Sequence, residues 1–149
     1  MIKRNLVTAI ALASTLVAAP TFANLDQDTA NVTMSVGLLA SITGLDDFVL
    51  TTNDPDGSAG AVYEGADNFN LESNGQVRVA LTGGNLKSGA GTEVATSYAL
   101  DSTGLTFDTE SNKVHDASHS VSAEATLGEI SAQQAGAYSS IITLTVAAI

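Results

Sequence analysis

With 149 residues, 16 acidic side chains and only five basic ones, the chain carries no basic patch able to hold nucleic acid. It has no cysteine, which excludes disulfides, zinc–thiolate centres and a cysteine nucleophile. Aromatic residues make up 5% of the chain, so small and β-branched side chains must fill any core.

The first 23 residues read as a secretion signal. Lys3 and Arg4 form a basic start, Leu6–Ala19 is an apolar run of 14 residues, and Thr21-Phe22-Ala23 is a small-x-small cleavage site. The run is shorter than the ~20 residues a spanning helix needs, and no second long apolar segment follows. The expected mature chain, Asn24–Ile149, is one exported domain without a transmembrane segment. Its basic residues are Arg78, Lys87 and Lys113, so its formal charge is −13. That charge suits a solvated surface and, in a sharper reading, divalent-cation binding.

Asn24–Asp28 is a short polar lead. Ala30, Val32, Met34 and Val36 then alternate with Asn31, Thr33 and Ser35, the period of a strand. Gly37 separates this segment from a second apolar run, Leu38–Leu45. The two form either one strand bulged at Gly37 or two strands hinged there. A short strand is expected through Phe48 and Leu50, followed by a turn-rich loop, Thr51–Gly60, with Asn53-Asp54-Pro55-Asp56-Gly57 at its centre.

Ala61–Tyr63 and Phe69–Leu71 read as short strands. Ser73-Asn74-Gly75 reads as the turn of a hairpin leading into Gln76–Thr82, where Val77, Val79 and Leu81 alternate. Glycines 83, 84, 89 and 91 predict a flexible stretch. Tyr98–Leu100 and Leu105–Phe107 are further strands, Asp108–Ser120 reads as polar loop, and Val121, Ala123, Ala125 and Leu127 alternate again.

The clearest pattern closes the chain. Along Gly136–Ile149, Tyr138, Ser140, Ile142, Leu144, Val146 and Ala148 share one face of a long β-branched strand. Short strands separated by turn residues, with no sustained helical period, predict a sandwich or barrel. A long apolar final strand must pair with something, in its own domain or outside it.

Chemistry-bearing patterns are few. Aligned on Gly57, the Asn53–Gly57 loop puts Asp54 and Asp56 at calcium-ligand positions. The first and twelfth positions fall on Thr52 and Tyr63, which do not fit the motif. A looser calcium site with Asp46, Asp47 or Glu64 is the remaining metal candidate, and otherwise no cofactor is expected. His115 and His119 would share a helix face as zinc ligands, but their surroundings read as loop and predict exposed histidines. No serine sits in a nucleophile-elbow pattern and no glycine-rich loop precedes a lysine, so an enzyme is not expected. Tyr138 reads as a core-edge tyrosine whose hydroxyl bonds back to the preceding loop.

Ala135-Gly136-Ala137-Tyr138-Ser139-Ser140-Ile141-Ile142-Thr143-Leu144-Thr145-Val146 resembles the ending of chaperone–usher pilins, especially the alternate, colonisation-factor type and the related spore-coat-U-like secreted domains. Ala30–Val36 followed by Gly37–Ile42 resembles their N-terminal extension and first strand. The resemblance covers about a quarter of the mature chain. It implies an all-β, immunoglobulin-like sandwich that lacks one strand. A periplasmic chaperone would lend that strand, and the extension of the next subunit would then replace it at an outer-membrane usher.

On that implication Asn24–Val36 is the extension, with Ala30, Val32, Met34 and Val36 as donor residues, and residues 37–149 form the domain. Tyr138, Ile142, Leu144 and Val146 form the edge that accepts the strand or meets the chaperone. The expected function is a structural surface subunit of a fimbrium, used in adhesion or biofilm formation and polymerising with copies of itself. The alternative is a self-complete monomeric sandwich, with Val32, Met34 and Val36 in an ordinary first strand and acidic loops that bind calcium or a carbohydrate.

Overall fold

The computed structural model describes residues 28–149, so the signal-like segment and Asn24–Gln27 lie outside it. Val36–Ile149 forms one compact unit, and the described residues 28–35 lie outside that unit. Residues 28–35 carry no regular secondary structure, and Val32 and Met34 are 96% and 87% exposed. The alternating Ala30–Val36 segment is therefore not in a strand here.

The compact unit is all-β. Its strands are β1 (Ala40–Thr43), β2 (Val62–Ser73), β3 (Val77–Gly83), β4 (Leu86–Ser88), β5 (Glu93–Val94), β6 (Thr96–Leu100), β7 (Thr106–Asp108), β8 (His115–Thr126), β9 (Tyr138–Ser139) and β10 (Ile142–Ala148). A 3-10 turn at Ile130–Ala132 is the one helical element among the described residues. All pairings are antiparallel. One sheet has the order β1-β2-β8-β6, a second β10-β3-β7, and a small third β5-β4-β9.

The two larger sheets face each other as a sandwich. Phe69 and Leu71 of β2, Leu100 of β6 and Val121 of β8 meet Val77, Val79 and Leu81 of β3 in one buried cluster. Each such side chain contributes about 1.5–3 kcal/mol on burial. The inward positions of β3 and β10 are the ones their alternation predicts.

Several elements differ from expectation. The two short strands Ala61–Tyr63 and Phe69–Leu71 are one 12-residue strand, because β8 runs opposite along its whole length, from Val62↔Thr126 to Ser73↔His115. The same pairing recruits His115–Ser120, which read as loop, into β8. Asn74-Gly75 does not close a hairpin, since β2 and β3 belong to different sheets. There the Ser73 hydroxyl donates to the Gly75 carbonyl, while the Asn74 side chain donates to Gly37 O and accepts the Leu39 N–H. These bonds turn the chain across the sandwich and leave Ser73 and Val77 buried at the two ends of the turn.

The run Leu38–Leu45 is a strand only at Ala40–Thr43, and Asp46–Leu50 is not a strand at all. That segment nonetheless lies close over β2, reaching it through the Thr51↔Glu64 bridge. Gly65 permits this approach, because a Cβ there would stand 2.6 Å from the Val49 carbonyl oxygen. The glycine-rich stretch after β3 holds a small hairpin of β4 and β5, turned at Gly91 with φ of +86°.

The final strand is broken in two. Tyr138 and Ser139 pair with β4, and Ile142–Ala148 pair with β3. At the break the Gly84 carbonyl accepts the hydroxyls of Tyr98 (2.7 Å) and Ser140 (2.8 Å), so side chains occupy it where a ladder bond would continue.

Candidate functional site

β10 hydrogen-bonds to β3 along one edge, and among the described residues its other edge has no strand partner. Ile142, Leu144 and Val146 point inward from it, half-buried against the core cluster. β1 is likewise paired along one edge only, with β2. β1 and β10 are thus edge strands of the two sheets, and Ala40 and Ile42 pack on the same core cluster as Ile142, Leu144 and Val146.

A cleft of about 940 Å³ lies at the start of β10, where Ile142 lines it, and none of its lining residues belongs to β1. Its floor is Ala123 and Ala125 of β8 with Tyr98 of β6. One wall is the Leu45–Leu50 segment, and the other is Tyr138–Ile142. The floor is low because two successive inward positions of a long strand are alanines, both buried beneath the cleft. Bulky apolar side chains stand exposed at the mouth, with Val49 at 80% and Ile141 at 86%. Asp46, Asp47 and Asp56 also line it, and no lysine or arginine does.

Tyr138 sits half-buried on the cleft wall, and its hydroxyl donates to the Gln134 carbonyl at 2.7 Å. Of the residues assigned to the accepting edge, Tyr138 and Ile142 line the cleft. Leu144 and Val146 continue the same inward face further along β10. Of the donor residues, Ala30, Val32 and Met34 lie in the segment before the compact unit, and Val36 opens that unit at 72% exposure.

One carboxylate oxygen each of Asp54 and Asp56 is bonded to the start of β2. Asp54 accepts the Val62 N–H at 3.1 Å, and Thr52 Oγ1 accepts the Asp54 N–H at 3.0 Å. The Tyr63 hydroxyl donates to Asp56 and accepts the Gly57 N–H. The bond to Asp56 raises the Tyr63 hydroxyl above its ordinary pKa. Among the described residues no three His, Asp or Glu side chains are grouped to hold a metal ion.

The histidines are not a loop pair. Both lie in β8, where four residues span about 13 Å. His115 stands near the Ser111 carbonyl. His119, expected to be exposed, has a side chain only 18% exposed. Its ring stacks on Phe69 and Phe107 at centroid distances of 5.6 and 4.4 Å, and so ties β2 to β7 of the opposite sheet.

The cleft-forming residues Phe48, Tyr98, Ala123 and Ala125 were not singled out from the sequence as site residues. The available signal was the Ala123/Ala125 pair, too small for inward positions of a core strand. No protein-family model and no curated protein matches the chain.

Proposed function

We propose that this protein is an exported, pilin-like structural subunit that joins copies of itself head to tail by strand donation. Ala30–Val36 of one copy enters the cleft of the next and pairs with the free edge of β10, completing an immunoglobulin-like sandwich that is one strand short. The observation that carries this reading is an apolar cleft at the start of β10, a strand whose outer edge has no partner among the described residues. Its counterpart is a segment of the same chain that alternates like a strand and leaves Val32 and Met34 almost fully exposed.

Strand addition of this kind couples main-chain hydrogen bonds with apolar side chains in alternate pockets. A head-to-tail contact between unlike surfaces generates an open filament. In this reading a periplasmic chaperone occupies the same edge before assembly, an outer-membrane usher is the exit, and the product is a fimbrium at the cell surface used in adhesion or biofilm formation. A calcium-binding monomer is less well supported, because Asp54 and Asp56 each accept a bond from the start of β2.

Deleting Asn24–Val36 tests the reading. The intact chain is expected to form polymers visible by size exclusion and negative-stain microscopy. The deleted chain is expected to stay monomeric until a peptide of Asn24–Val36 is added, which it binds with a raised melting temperature. An intact chain that stays monomeric, or a peptide without effect, contradicts it.

A further inference from the structure

The ionisable carboxylates that line the cleft share their sign of charge with the polar lead that precedes its proposed occupant. Fourteen of the 16 acidic residues lie between Asp46 and Glu129. The three cations of that unit are each engaged by an acidic neighbour. Arg78 is 2.6 Å from Asp108, Lys87 2.6 Å from Glu93, and Lys113 3.4 Å from Glu110. Asp46, Asp47 and Asp56 line the cleft, with no lysine or arginine among its lining residues. The remaining two acidic residues, Asp26 and Asp28, sit in the polar lead of the extension itself.

We infer that the cleft carries an electrostatic brake: the acidic extension of a second copy enters it only where dissolved ions screen the repulsion. This rests on the strand-donation reading and adds a regulation to it. The apolar faces supply the attraction and are little affected by moderate salt, while like-charge repulsion acts over the Debye length. That length is ~30 Å at 0.01 M ionic strength and ~3 Å at 1 M. In dilute salt the whole cleft mouth repels Asp26 and Asp28, and in concentrated salt only direct neighbours do. Subunits would thus stay apart in a dilute medium and join in a saline one. Neutralising either partner should release the brake.

The test follows polymer formation by light scattering for the intact chain in 10 mM and 1 M NaCl. Two variants are run beside it: D26N/D28N in the extension, and D46N/D47N/D56N at the cleft. The expected result is a rate about tenfold or more higher for the intact chain in 1 M NaCl. Both variants should assemble in 10 mM NaCl at rates the intact chain reaches only in salt. The extension variant leaves the compact unit untouched, so it decides the matter even if the triple cleft variant folds poorly. A salt-independent rate for the intact chain, or an extension variant as salt-dependent as its parent, overturns the brake and leaves strand donation standing. Failure of every chain to assemble at either salt overturns both.

Discussion

His119 Nδ1 lies 2.7 Å from Asp101 Oδ2, and the other carboxylate oxygen of Asp101 accepts the Ser120 N–H at 2.9 Å. Asp101 N–H donates in return to the Ser120 carbonyl. One side chain thus latches the turn after β6 onto the middle of β8. The turn needs a latch, because Asp101 and Ser102 both hold left-handed backbone, with φ of 46° and 59°, a conformation that costs non-glycine residues about 1–2 kcal/mol each.

Asp101→Ala is therefore expected to lower unfolding stability by about 1–2 kcal/mol, a hydrogen-bond loss discounted for partial exposure of the carboxylate. Urea denaturation at pH 7 measures it. A loss below a few tenths would show that the latch is idle.

The same carboxylate predicts a pH dependence. Desolvation pushes the Asp101 carboxyl up, but the Ser120 N–H, His119 and the Ser120 hydroxyl together outweigh it and hold the group below its usual value. A carboxylate with a depressed folded pKa contributes stability above its unfolded value of ~3.9 and loses it as pH falls through the folded value. The stability difference between the parent and Asp101→Asn should shrink as pH falls below about 4. A difference that grows on acidification would contradict the assignment.

Gly65 predicts how the cleft wall is held. Because an added Cβ would press on the Val49 carbonyl and Leu50, Gly65→Ala should displace the Leu45–Leu50 segment. The strain should cost about 1–3 kcal/mol. Thermal unfolding gives the cost, and faster amide exchange across residues 45–50 locates it. An unchanged exchange pattern would mean that Gly65 is not what lets the segment lie there.

The alternation of Val77–Leu81, Val121–Ala125 and Ile142–Val146 was legible as strand, and their inward faces are the expected ones. An all-β fold follows from those three segments and the turns between them. Strand partners were not legible, since pairing is non-local. Asn74-Gly75 looks like a hairpin turn until Ser73 and Val77 are seen facing the core from opposite sheets. His115–Ser120 has the composition of a loop, yet pairing with β2 overrides that weak local preference. The cleft was not legible because it is made by what Ala123 and Ala125 lack, and by a segment, Leu45–Leu50, that forms no strand.

The proposed strand donation would separate assembly from folding. Met34 is 87% exposed and lies in the segment before Val36, so Met34→Asp should leave the monomer's melting temperature within about 1 °C of the parent. The same change would bury a charge in an apolar cleft, and polymers should disappear. Polymers that survive it would remove Met34 from the contact.

The absence of native cysteine allows the contact itself to be trapped. One chain carries Met34→Cys and a second Ile142→Cys, and the two are mixed under mild oxidation. Strand donation between copies predicts a disulfide-linked heterodimer in excess of the homodimers formed by either chain alone, with the linked peptides identified by mass spectrometry. No excess over those controls, or a cross-link only within one chain when both cysteines are placed together, would contradict it.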